Sequence, residues 1–122
     1  MIIMDKRTMG KKGEAIALNY LLAKGYKLIY ENYYSRWGEI DLIVFDHQSG
    51  ELVFVEVKTR SSDSFGHPED AIDEYKLERL NKAADRYLQK YDYDGDYRFD
   101  CLSIEVDYAA SKAKIRHLKN IG

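Results

Sequence analysis

The sequence predicts an α/β fold of order αβββαββ, a mixed sheet flanked by helices, on three observations. Two segments carry apolar residues at helical spacing. Five shorter runs, rich in β-branched and aromatic residues, are set off by turn residues. The second helical segment lies between two of those runs, the arrangement of a right-handed crossover between parallel strands.

The first helix is expected from about Met9 to Lys24, with Ala15, Leu18, Leu21 and Leu22 as its inward stripe and Gly25 as its C-cap. A strand follows over Tyr26–Tyr34, then a turn at Ser35-Arg36-Trp37-Gly38. Glu39–Asp46 reads as a second strand, His47-Gln48-Ser49-Gly50 as a turn, and Glu51–Thr59, with Val53, Val55 and Val57, as a third. Ser61–His67 is a polar loop. Pro68 suits the first position of a long second helix to about Tyr91, and Glu69 and Asp70 suit its positive end. Leu77, Leu80, Ala84, Tyr87 and Tyr91 form its stripe. Tyr97–Val106 and Lys114–Lys119 complete the strands. The first three strands read as an antiparallel meander. With no internal repeat and no linker, residues 1–122 are expected to form a single domain.

Composition narrows the function classes. The apolar run at Met1–Met4 is too short for a signal-peptide core and precedes its charges, and no stretch approaches a membrane span, so a cytoplasmic protein is expected. Cys101 is the single cysteine, which excludes an internal disulfide and a cysteine-rich zinc site. The net charge of −2 argues against a generic nucleic-acid coat. Residues 1–36, however, hold seven Lys/Arg against three acids, and the last twelve residues hold four basic residues and no acid. Both ends are therefore able to line a phosphate-facing surface.

The second and third strands carry the functional argument. With the hairpin centred on its turn, Phe45 faces Leu52, Ile43 faces Phe54, Asp41 faces Glu56 and Glu39 faces Lys58. Alternation places Ile40, Leu42, Val44, Val53, Val55 and Val57 on one face. The other face is apolar near the turn and then switches to four ionisable groups, Asp41, Glu56, Lys58 and Glu39. Two opposed carboxylates about 5 Å apart repel by roughly 3 kcal/mol at an effective dielectric near 20. A divalent cation reverses that sign. Lys58 shares the face of Glu56, where an ammonium orients water or stabilises a phosphoryl transition state. Arg60 has the same parity and suits a bidentate phosphate contact. A purely structural account also fits the pattern: two solvated carboxylates at a sheet end, with Glu39–Lys58 an ordinary cross-strand ion pair.

At these residues the chain resembles the PD-(D/E)XK nucleases, whose core order is αβββαβ and whose motif is an Asp on the second strand followed by Glu-x-Lys on the third. Here these are Asp41 and Glu56-Val57-Lys58, with Ile40 in place of the usual proline. More closely, the chain is similar to the YraN-type family of small bacterial proteins, related in fold to archaeal Holliday junction resolvases. The similarity runs through Gly13-Glu14, Gly38–Ile43, Val53–Arg60, Phe65–Pro68, Lys76 and Arg98-Phe99-Asp100. It implies a restriction-endonuclease-like fold and a DNA endonuclease. Asp41 and Glu56 would bind Mg²⁺ or Mn²⁺ with help from Glu14, and Glu39 would tune Lys58. Branched or recombination and repair intermediates would be substrates, and paired junction cutting would need a homodimer. An accessory protein that binds nucleic acid without cutting it shares the same fold.

Other residues leave two readings open. Glu14 shares a helical face with Leu18 and Leu21, where a carboxylate wants a partner; alternatively it is a first-turn acid interacting with the helix dipole beside Lys11 and Lys12. Lys76 lies at the edge of the second helix's stripe, within reach of the carboxylates or a phosphate, or it is a snorkelling surface lysine. His47, His67 and His117 are too scattered to form a metal cluster. The eleven tyrosines read as core and sheet residues in preference to base-stacking platforms.

Overall fold

The computed structural model describes residues 6–62 and 66–122. The N-terminal run at 1–5 and residues 63–65, which include Phe65 of the family-like motif, lie outside the described residues. The elements are α1 (Lys6–Ala23), β1 (Lys27–Ser35), β2 (Gly38–Asp46), β3 (Glu51–Ser61), a 3-10 turn at Pro68–Ala71, α2 (Glu74–Lys90), β4 (Tyr97–Asp107) and β5 (Lys112–Leu118). The expected αβββαββ order is the observed one.

The five strands lie in the sheet in chain order. β1–β2, β2–β3 and β4–β5 are antiparallel, and β3–β4 is parallel, as the crossover through α2 requires. Strand β3 is buried on both faces, because its Val/Phe run supplies apolar side chains to each. One face packs Leu42, Val44, Val53, Val55, Leu102 and Ile104 beneath Ala17 and Leu21 of α1. The other packs Ile43, Leu52, Phe54 and Phe99 beneath Leu80, Ala83, Ala84 and Tyr87 of α2. The helices thus cover opposite faces.

Four helix expectations need correction. The inward stripe of α1 is Gly13, Ala17 and Leu21, while Ala15 and Leu22 are exposed. The helix also begins earlier than expected, so Glu14 sits eight residues after Lys6, beyond the reach of an N-terminal dipole. The long second helix is split. Pro68 starts a 3-10 turn, Ile72 is extended, and Asp73 caps a new helix by accepting the Lys76 N–H at 2.8 Å. An Asp side chain competes with the backbone mid-helix, so it ends one helical turn and starts the next. Tyr91, expected on the stripe, is the half-exposed C-cap.

The ends of the β2–β3 hairpin are built differently. At the turn, Arg98 is buried and its guanidinium donates to Asp46, Ser49, Glu51, Asp100 and the Tyr26 hydroxyl. Burial pushes Asp46 and Asp100 up, but these hydrogen bonds, with His117 and the Asn120 N–H on Asp100, outweigh it and hold both carboxyls below their usual range. At the other end three carboxylates gather without such a cation.

Candidate metal and phosphate site

The β2–β3 register follows the expected pairing from Asp46–Glu51 to Leu42–Val55, and the assigned pairs stop there. Asp41 and Glu56 are therefore not ladder partners. Instead the Asp41 carboxylate accepts the Val57 N–H at 2.8 Å, taking the place of a strand-to-strand bond. The simple alternation also fails: Ile40 packs with Ile43 and Tyr33 on the α2 face, not with Leu42 and Val44. On the opposing strand, paired residues Glu31–Leu42 and Tyr33–Ile40 bracket Asn32, which is in the left-handed region at φ 52. The β1–β2 pairing keeps one register across Asn32, and its register shift lies between Leu28 and Tyr30.

Glu14, Glu39 and Asp41 each bring a carboxylate oxygen within 4.8 Å of the other two. Asn32 serves two of them. With its amide oriented to donate, its nitrogen reaches Glu39 Oε1 at 2.5 Å and Glu14 Oε1 at 2.7 Å. Glu14 arrives through a close helix–sheet approach: a Cβ on Gly13 would stand 1.8 Å from Thr59 Oγ1 and 2.8 Å from Thr59 Cβ. Glycine at residue 13 is what lets α1 ride on β3.

Glu56 lies outside that trio and is paired with two lysines. Lys58 Nζ and Lys76 Nζ both approach its Oε1, at 3.4 and 3.2 Å. Its side chain is 4% exposed, and its second oxygen, Oε2, is buried with no hydrogen-bond partner among the described residues. Lys76 thus reaches the carboxylates over the sheet, one of its two expected readings. Arg60 continues β3 beyond Lys58.

The electrostatics follow from this crowding. Burial, then Glu56, pushes the Asp41 carboxyl up to about 8; Glu14 and Glu39 add to the rise, and the Val57 N–H opposes it. Burial, then Glu39, Glu31 and Glu56, raises Glu14 against Lys11. Glu39 is raised by burial and then Glu56, against Lys76. Four carboxylates with two lysines on one of them form a net-negative pocket, suited to a cation and beside ammonium groups suited to a phosphate.

From sequence, Glu39 is expected to tune Lys58; in the structure its carboxylate groups with those of Glu14 and Asp41, beside Asn32, which the sequence pattern does not single out. The available signal was an asparagine inside a tyrosine-rich strand, a residue poor in strands and tolerant of the left-handed region. His117 is engaged by Asp100 at 2.8 Å. Tyr26, Tyr33 and Tyr87 are core residues as expected, but Tyr34 and Tyr75 are 73% and 67% exposed. Cys101 is buried and free, and no described helix is long and apolar enough to cross a membrane.

Comparison with known proteins adds three kinds of relation. Residues 13–104 match the model of an uncharacterised protein family, UPF0102. A UPF0102 protein of Syntrophomonas wolfei is 42% identical over 115 residues, covering 93% of this chain and 96% of the relative. Those of Persephonella marina and Natranaerobius thermophilus are each 41% identical, covering 91% and 96% of this chain and 90% and 98% of theirs. Among solved structures, a repair endonuclease from Pyrococcus abyssi aligns with 81% of this chain and 38% of its own, at 17% identity and a TM-score of 0.46.

Proposed function

The chain belongs to the uncharacterised protein family UPF0102, and we propose that it is a metal-dependent DNA endonuclease that hydrolyses phosphodiester bonds. The observation that carries this reading is the orphaned Glu56 Oε2, buried beside an Asp41 carboxyl whose charge the protein itself disfavours. A buried acceptor with no partner costs about 1–3 kcal/mol. A structural sheet gains nothing from it, whereas a cation ligand would satisfy it.

The residues present fit Mg²⁺ or Mn²⁺. Asp41 and Glu56 would hold the ion, Glu14 would assist, and all three offer the hard oxygen donors these ions take. Such an ion supplies Lewis acidity, polarising a phosphoryl oxygen and lowering the pKa of water. The remaining work falls to the chain. Lys58, half-shielded on β3, donates from Nζ to a non-bridging phosphate oxygen or orients the attacking water. Lys76 and Arg60 hold flanking phosphates. Glu39, fixed by Asn32, sets the charge that Lys76 and Glu14 feel. Hydrolysis adds water across one P–O bond, and the departing oxygen takes up a proton.

The test is a cleavage panel of single strands, duplexes, flaps and four-way junctions with Mg²⁺ or Mn²⁺ and with EDTA. Metal-dependent cleavage lost in Asp41→Ala supports the assignment. Binding of DNA without cleavage of any panel member under any metal would replace the enzyme by an accessory binding protein. Paired cutting of junctions requires two sites, so that activity is expected only if the protein dimerises on DNA.

A further inference from the structure

A strip of surface beside the site is not used by hydrolysis itself. Along α2, Tyr75, Arg79, Lys82 and Arg86 recur at i, i+4, i+7 and i+11, and so share one side of the helix. Glu74, Glu78 and Asp85 fall on the adjoining side, so the helix sorts its charges into a basic and an acidic stripe. The basic stripe begins one residue from Lys76, whose Nζ stands 3.2 Å from Glu56 Oε1. Arg79 of the stripe lines one cleft with Trp37, Glu39 and Lys76, so the stripe borders the carboxylate site.

The turn between β1 and β2 borders this stripe. Lys82 Nζ lies 4.5 Å from the Trp37 ring centroid, with Arg36 Cζ at 4.7 Å. Arg79 sits 5.7 Å from the Tyr75 ring and donates to its hydroxyl at 3.4 Å. Among the described residues the only ion pair made by these cations is Lys82 with Glu78 at 3.3 Å, both of them exposed. Exposed pairs of that kind hold little. Arg36 and Arg79 rest on aromatic rings and Lys82 on a ring and one weak exposed pair, which leaves them available to phosphate.

We infer that this strip is the path of an unpaired DNA strand, which reaches the carboxylates past Lys76. The inference rests on the nuclease reading and names its substrate class. A duplex offers phosphates but keeps its base faces stacked inside. Tyr75 is 67% exposed and presents its ring to solvent, while Trp37, partly buried against the α2-side core, anchors the border of the lane; an exposed aromatic within a basic lane is how single strands are held without sequence preference. From Tyr75 to Arg86 the lane measures about 16 Å at ~1.5 Å per residue, room for on the order of four nucleotides. A local lane also reconciles phosphate binding with a net charge of −2.

Trp37 is the only tryptophan of the chain, so its fluorescence reports on this lane alone. Wild-type protein in EDTA, where cleavage is off, is titrated with an oligothymidylate and with a duplex of equal length at several salt concentrations. The single strand is expected to quench Trp37 and to bind at least about tenfold tighter than the duplex. Arg79→Gln with Lys82→Gln should weaken it by about tenfold and flatten the salt dependence. Tyr75→Ala should weaken it too, and Tyr75→Phe should restore it, which a purely electrostatic role would not produce. Equal binding and quenching by duplex, or single-strand binding unchanged in these variants, overturns the inference. The metal-dependent cleavage panel is scored separately. Efficient cleavage of blunt duplex without single-strand preference removes the lane and leaves the nuclease; single-strand quenching without any cleavage does the reverse.

Discussion

Asp41 and Asp46 sit five residues apart on one strand and have opposite fates. Asp46 is held charged by Arg98, while Asp41 is buried among other acids. Its carboxyl is raised from 3.8 to about 8, so the folded state disfavours the carboxylate. The stability cost is absent below the unfolded value near 4, grows as pH rises between about 4 and 8, and is constant above. Metal-free wild type should therefore melt lower at pH 8.5 than at pH 5. Asp41→Asn, which keeps an oxygen for the Val57 N–H, should flatten that dependence. At pH 8.5 in EDTA it should raise Tm by about 3–5 °C, roughly 1 kcal/mol once solvent and Lys58 screen the repulsion. It should also lose the Tm rise on adding Mg²⁺ or Mn²⁺. Strong destabilisation of the EDTA form would make Asp41 a structural residue. At this scale the sequence made Asp41, Glu56 and Lys58 visible, because a face that turns from Ile43 and Phe54 to ionisable groups is a compositional break. It hid Asn32, because one left-handed residue leaves no periodic trace.

Elements were legible where apolar periodicity decided them, and blurred where a single polar side chain did. All five strands fall within two residues of expectation at each end. The break between Pro68 and α2 was not seen, since Asp73 caps from within a continuous helical pattern. The inward side of α1 was misread because its closest contact is made by Gly13, which contributes no hydrophobic signal. That contact gives a sharp expectation. Gly13→Ala should destabilise by about 1–3 kcal/mol despite alanine's better helix propensity, because the methyl group meets Thr59. Thr59→Ala in the same chain should recover part of the loss, measured by urea unfolding as a double-mutant cycle. Additive effects of the two changes would mean that α1 is held elsewhere.

Across the whole molecule, the sheet divides two apolar cores, and its hairpin divides two charge clusters. The Arg98 end is closed and self-neutralised; the Asp41 end is open to a cation. Among the described residues, Arg98 is the only Lys or Arg paired with Asp46 and Asp100, both buried, and Arg98→Met removes it. The substitution should cost about 3–5 kcal/mol, the usual result of leaving buried charges unpaired. Urea unfolding checks this, and a loss below about 1 kcal/mol would show that His117 and the backbone suffice for Asp100. The parallel β3–β4 pair and the antiparallel meander were readable from the strand–helix–strand order alone. The Arg98 clamp was visible only as a motif, since its five partners are scattered from Tyr26 to Asp100.

Chain order and sheet order coincide, and this has a consequence for synthesis. As the chain leaves the ribosome, β1, β2 and β3 can pair as they emerge, but β3 keeps one bare edge until Tyr97–Asp107 has been made. That edge carries the buried Leu52–Val55 run, and an unpaired edge is a template for other chains. During the same interval Asp46 and Glu51 wait for the guanidinium of Arg98. The half-made protein already holds every acid of the candidate site and lacks the strand that shields its centre. The interval between β3 and β4, filled by the making of α2, is thus the stage at which nascent chains are most exposed to one another.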